Sequence, residues 1–315
     1  MPVRTAATHP SVTLRHVTGM LVAALALAGC TSGADGGASS ASVPASSPAA
    51  MVPGVASSSS PAPATPAALP RPARTVVVVM ENHSLDDVLD DPDAPWLNHL
   101  PAAVLTDWHG VTHPSQPNYV ALLTGSTHGV TSDHCPTTVT GGSLPAQLTA
   151  AGLTFTGFSE GLPAAGSTTC SAGRYRRKHN PWVDVRGLPA TMNQPFSAFP
   201  ADQAALPTVS VVVPDMCHDT HDCRTARGDA WLRENLGPYV AWAQDHDGLL
   251  VLTYDESEHR SGNHIPTLLV GPMVRPGRYT VRGDHYTTLR TLEAMYGLPA
   301  LGEAAAREPL TGIWR

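Results

Sequence analysis

Hydrophobic residues in this chain fall into short continuous runs rather than long helical stripes. Four runs are clear, at residues 75–80, 209–213, 249–254 and 267–270, separated by helical or turn-rich stretches. Runs of this length and composition predict buried strands, and unbroken apolarity predicts parallel strands covered on both faces. The expected fold class is α/β, a mostly parallel central sheet with helices on both faces.

Polarity returns abruptly where these runs stop. The first runs into Glu81-Asn82, the second into Pro214-Asp215 and the third into Asp255-Glu256, while the fourth ends at Gly271-Pro272. In open α/β sheets the ligand crevice lies beyond the carboxyl ends of the strands. One such ending would be read as the start of a polar loop. Three predict carboxylates that converge and need a cation between them.

Between the first and second runs lies Thr112-His113-Pro114-Ser115-Gln116-Pro117-Asn118-Tyr119, followed by an apolar stretch and Gly125. Proline is tolerated in a helix's first turn, so a helix is expected to begin at about Ser115 and stop before Gly125. A serine at a helix start is either a plain N-cap or a nucleophile placed where backbone N–H groups favour a phosphate-like anion. Asn118 could add an amide donor to the same oxygens. Activation would come from a metal or an imidazole, with His113, His218, His221 and His285 available. With 15 histidines in the chain, no single one is informative alone.

The first 73 residues have a different character. Arg4 and Arg15 precede the apolar stretch 21–28, and Leu27-Ala28-Gly29-Cys30 follows the pattern of a bacterial lipobox. Residues 1–30 are therefore expected to be a signal peptide ending in a lipidated Cys30. The apolar stretch is shorter than the roughly 20 residues a bilayer-spanning helix requires. Residues 31–73, almost all Ser, Ala, Gly, Pro and Thr, are expected to be a disordered linker, leaving 74–315 as one catalytic domain. The protein is thus expected to be exported, either lipid-anchored to the outer face of the cell membrane or secreted.

Besides Cys30 the chain holds Cys135, Cys170, Cys217 and Cys223, which allow three pairings. The tight local loop favours Cys217–Cys223, with Cys135–Cys170 as the second bridge. In a chain-entropy estimate the longer loop stabilises by about 4 kcal/mol. Zinc is the rival, but the spacing matches no usual cysteine–histidine site. Net charge is −7, with 19 Lys and Arg in all, which excludes a basic nucleic-acid footprint. The one basic cluster, residues 174–179, is either a solvated face or an anion contact.

Several motifs in order resemble the bacterial phosphoesterase family of acid phosphatases and phospholipases C, within the alkaline-phosphatase-like superfamily. They are Glu81-Asn82-His83-Ser84, His113-Pro114-Ser115-Gln116-Pro117-Asn118-Tyr119, the segment 215–222, Gly228-Asp229-Ala230-Trp231-Leu232, Asp255-Glu256, and the stretch from His285 to Pro299. The segments 157–163, 170–182 and 195–200 are similar to the secreted mycobacterial acid phosphatases of that family, which act on a phosphoinositide. Together these motifs span residues 74–314.

The resemblance implies an alkaline-phosphatase-like core and one divalent metal ion held by Glu81, Asn82, Asp255, Glu256 and Ser115; its identity is open, and such oxygen-rich ligands suit calcium, magnesium or manganese without excluding others. It implies Ser115 as the nucleophile of a phosphoserine intermediate and Asn118 as a holder of a phosphate oxygen. His113, His221 and His285 would serve as proton donors or phosphate contacts, with Lys178 and His179 as further substrate contacts. Glu258-His259 and His264 stand where relatives carry other residues, which bears on selectivity and metal number. The expected activity is hydrolysis of phosphate monoesters, phosphoinositides or phosphoproteins among them. The alternatives are a phospholipase C-like phosphodiesterase and a surface lipoprotein that only binds a ligand.

Overall fold

The computed structural model describes residues 68–258 and 261–315. The signal peptide, the lipidated Cys30 and most of the linker expected from the sequence lie outside the described residues. Residues 68–73 run against the domain, where Arg71 Nη1 donates to Tyr296 O at 3.0 Å and Tyr296 Oη to Pro72 O.

Ten strands form in chain order. They are β1 (Arg74–Met80), β2 (Ala103–His109), β3 (Phe155–Ser159), β4 (Ser171–Ala172), β5 (Tyr175–Arg176), β6 (Asn193–Pro195), β7 (Val209–Val213), β8 (Gly248–Tyr254), β9 (Thr267–Val270) and β10 (Gly277–Asp284). Eight build the main sheet in the order β10-β2-β9-β8-β1-β7-β3-β6, and β4 and β5 pair separately. The mostly apolar strands β1, β7 and β8 sit at its centre, buried along nearly their whole length, with β1 parallel to both neighbours. Their position follows from composition, because only strands covered on both faces bury every side chain.

Two consequences decide the site. Met80 pairs with Tyr254 at the ends of β1 and β8, so the next residues, Glu81 and Asp255, leave the sheet side by side. β9 runs antiparallel between β8 and β2, so its carboxyl end lies at the opposite edge. That is why the fourth run ends in Gly271-Pro272 rather than in an acid. The sheet is mixed at this one strand and parallel elsewhere.

The helix Ser115–Thr124 begins where expected and is buried at every position. Gly125 ends it in the left-handed region at φ 74°, and a Cβ there would lie 2.2 Å from Leu301 O. Glycine thus supplies both the turn and the room for that chain crossing. The helix His285–Tyr296 starts on a capping box in which Asp284 accepts from Thr287 N. A long helix, Thr225–Asp245, packs on β8, and Tyr239 Oη donates to Arg74 O and Leu249 O. That hydroxyl ties the starts of β1 and β8 together.

Both expected disulfides are present, Cys135–Cys170 and Cys217–Cys223. Two disulfides fit an oxidising compartment. Among the described residues no helix is long and apolar enough to cross a membrane.

Candidate active site

Ser115 is the first residue of its helix, and Pro114 at the N-cap has no side-chain oxygen to bond the first turn. Its hydroxyl is turned to the strand ends instead. Ser115 Oγ donates to Glu81 Oε2 at 3.0 Å and to Glu256 Oε1 at 3.2 Å, sharing one proton between two acids. Lys178 Nζ approaches the same oxygen at 3.4 Å and donates to Asp133 Oδ2 at 2.8 Å. His113 Nδ1 stands 2.6 Å from the other oxygen of Glu256.

A second layer holds the acids in place. Tyr119, one helical turn after Ser115, donates to Glu81 Oε1 at 2.5 Å. His179 stacks on Tyr119 with ring centroids 4.9 Å apart and reaches Glu81 Oε1 at 3.2 Å and Asp219 Oδ2 at 3.7 Å. Asn82, in the left-handed region at φ 56°, donates its backbone N–H to Asp255 Oδ1. His285 Nε2 lies 2.6 Å from Asp255 O, so it acts as the donor there.

Charge is the outstanding property of this cluster. Burial, then Asp255, pushes the Glu81 carboxyl well above the usual range. Burial, then Glu256, does the same to Asp255, and burial with Glu81 does so to Asp219. Glu256 is raised to about 8 by burial and by Glu81. Burial works against the Lys178 ammonium, but Glu81, Asp133 and Asp255 outweigh it and hold its pKa above the ordinary value. Burial pushes His179 well below the imidazole range, with Lys178 and His221 adding to the effect, and burial also lowers His285. These two rings are neutral near neutral pH.

The donor set fits a hard divalent cation. Asp255 Oδ2 is buried with no hydrogen-bond partner among the described residues, and three buried carboxylates repel one another around Ser115. Oxygen donors of this kind are what calcium, magnesium and manganese take. Three other clusters have metal-like spacing: Asp107 with His109 and His264, His83 with Asp87 and Glu258, and Glu160 with Asp215 and His218. Each is less buried and already contains a close histidine–carboxylate pair, at 2.7, 3.3 and 2.9 Å respectively.

The structure brings Glu81, Asp255, Glu256, Ser115, His113, Lys178 and His179 together, with Asn82 and His285 bound to Asp255. It gives other work to three residues. Asn118 Oδ1 accepts from Val111 N and Thr112 N, and its Nδ2 donates to Thr112 O and Pro114 O. Its amide is used up in shaping the loop before Ser115 and is not free for a phosphate oxygen. Asp215, the third strand-end acid, caps a turn by accepting from Cys217 N and His218 N, and Asp219 reaches the cluster instead. His221 pairs with Asp222 at 2.8 Å and lines an open cavity of about 770 Å³ beside Asn82, with His83, Arg224, Arg227 and Glu258.

Asp133, Tyr119 and Asp219 were missed from sequence. Tyr119 had a signal in its position four residues after Ser115, on the same helix face. Asp133 had none, since it lies in a loop without pattern.

The phosphoesterase family model matches residues 89–299. The chain is 48% identical over 254 residues to the phosphatidylinositol-3-phosphatase of Mycobacterium tuberculosis, covering 78% of this chain and 84% of that protein. It is 29% identical over 248 residues to an acid phosphatase of Aspergillus fumigatus, covering 71% of this chain and 55% of that one. The chain therefore spans little more than half of the fungal enzyme's length. A solved structure from Vibrio parahaemolyticus, a protein in the alkaline phosphatase superfamily, matches with a TM-score of 0.51 at 14% identity, over 77% of this chain and 71% of that chain. That likeness shows the fold.

Proposed function

The chain belongs to the phosphoesterase family and is a phosphoric monoester hydrolase, and we propose that Ser115 is its nucleophile, with phosphoserine as the intermediate. The observation that carries the reading is the placement of Ser115 Oγ between Glu81 and Glu256 with Lys178 above it.

Ser115 Oγ forms a bond to phosphorus as the substrate's ester P–O bond breaks. The hydroxyl proton passes to Glu256 Oε1, which a bound cation would hold ionised, and Glu256 Oε2 is 2.6 Å from His113 Nδ1. His113 is partly exposed at the mouth of the site and hands a proton to the departing alkoxide. In the second half-reaction water attacks phosphorus and its proton returns by the same route to Ser115 as the P–Oγ bond breaks. Lys178 and the helix N-terminus face the negative charge that develops. Glu81, Asn82, Asp255 and Glu256 would hold a divalent cation against Ser115, and the cation would supply charge stabilisation at the attacking oxygen.

The Mycobacterium tuberculosis relative is named for phosphatidylinositol 3-phosphate, and we carry a phosphoinositide forward as the candidate substrate. The open cavity beside Asn82, with Arg224, Arg227, His83 and His221 but also Asp222 and Glu258 on its walls, has room for a polyol head group and polar groups to bind its hydroxyls. Lipid anchoring through Cys30 and the division into signal peptide, linker and domain belong to the same proposal. Membrane fractionation of wild type against Cys30→Ser tests the anchor, which fails if both partition alike. Phosphate release from phosphatidylinositol 3-phosphate vesicles, set against a diester such as bis-p-nitrophenyl phosphate, tests the substrate class. Faster turnover of the diester would displace the monoester reading.

A further inference from the structure

Lys178 is a flexible side chain whose use depends on what holds it. Among the described residues its one ion-pair partner is Asp133, at 2.8 Å. The other oxygen of Asp133 accepts from Gln116 N at 3.0 Å, the backbone amide next to the nucleophile. One carboxylate therefore holds both the cation and the start of the helix that carries Ser115.

The pair is also tied from behind. Cys135 lies two residues after Asp133 and is bonded to Cys170, whose carbonyl accepts from Arg177 N at 3.0 Å, one residue before Lys178. Arg177 is fixed in turn by Asp184, which bonds its guanidinium at 2.8 Å and accepts from Gln116 Nε2 at 3.1 Å. The loop of Asp133 and the segment of Lys178 thus cannot drift apart without breaking either the disulfide or this paired network.

We propose that Asp133 is the positioning residue that aims Lys178 at Ser115 Oγ, and that the Cys135–Cys170 bridge clamps the two segments together. The proposal rests on Ser115 being the nucleophile. Negative charge develops on Oγ when it attacks and again when the P–Oγ bond breaks, and an ammonium held 3.4 Å away stabilises both. A partly buried ion pair with only a structural task would act on stability and contribute nothing to turnover.

A double-mutant cycle on the full-length protein separates the two possibilities, with kcat for p-nitrophenyl phosphate and the thermal midpoint as readouts. Lys178→Met is expected to lower kcat about 100-fold, a typical loss for one charge-stabilising donor. Asp133→Asn is expected to lower it about tenfold with little change in midpoint, by the same reasoning at partial effect. The double variant should then be no slower than Lys178→Met alone, because Asp133 acts through Lys178. Multiplying effects, or a normal kcat in Asp133→Asn, would overturn the proposal. If Asp133→Asn does not fold, Asp133→Ser keeps an oxygen for Gln116 N and serves in its place. Replacing both cysteines with Ala should slow the wild type but leave the Lys178→Met background unchanged; equal slowing in both overturns the clamp. Ser115→Ala, run alongside, shows which reading failed: retained activity removes the nucleophile, lost activity with multiplying effects removes only the role of Asp133.

Discussion

Glu81 and Asp255 leave the central sheet as neighbours because Met80 and Tyr254 are register partners at the ends of β1 and β8, with Asp255 N donating to Met80 O at 2.9 Å. Two buried acids are thus forced together by strand register alone. Ser115, arriving on a helix start, then brings a hydroxyl to Glu81 and to Glu256.

The acid cluster should make the metal-free protein less stable as pH rises. Glu81, Asp219 and Asp255 are all held well above their ordinary range by burial and mutual repulsion, and Glu256 is raised to about 8. A folded-state pKa above the unfolded value favours the protonated form in the fold. That contribution is complete below the unfolded value of about 4.5 and is lost as pH climbs through about 8. With chelator present, the thermal midpoint should fall by several degrees between pH 5 and pH 8.5, at about 2–4 °C per kcal/mol for a domain of this size. Added divalent cation should raise the midpoint more at pH 8 than at pH 5. A midpoint that rises with pH in chelator would contradict the cluster's electrostatics.

Tyr119→Phe removes the donor on Glu81 Oε1 while keeping the ring that stacks on His179. The variant should bind divalent cation roughly tenfold or more weakly, the usual effect of losing an outer partner of a metal ligand. Calorimetric titration of the metal-free protein reads this directly. Unchanged affinity would mean that Glu81 does not depend on Tyr119 for its orientation.

Asn118→Ala distinguishes a loop-shaping amide from a phosphate contact. The substitution leaves the partly buried backbone amides of Val111 and Thr112 without the acceptor they now share, which costs about 1 kcal/mol, the low end for a lost partner. Both the thermal midpoint and kcat should fall. A normal midpoint with raised KM would instead restore the phosphate-contact role expected from the sequence resemblance.

Much of the sheet could be read from sequence because β1, β7 and β8 are buried on both faces and announce themselves as short runs dominated by Val and Leu. The outer strands could not. β10 is exposed at half of its positions, β2 interrupts its apolar residues with Thr106 and Asp107, and β3 contains Gly157. That glycine is required because a Cβ would lie 2.1 Å from the Trp182 ring, a contact far away in sequence. In the site, Glu81, Asp255, Glu256 and Ser115 were legible because strand ends and helix starts are local features. Asp133 and Asp219 reach the cluster through disulfide-linked loops, and nothing local marks where such a loop points. For Asn118, motif position says which residue is present, not that its amide already bonds the loop before Ser115.

The most direct test is to quench turnover of a radiolabelled phosphate monoester in acid and locate the label by peptide mapping. The account predicts phosphate on Ser115 in the wild type, none in Ser115→Ala, and a loss of kcat in that variant of about 1,000-fold or more, the scale seen when an enzyme loses its covalent nucleophile. Near-normal turnover by Ser115→Ala, or label on a histidine in the wild type, would contradict it.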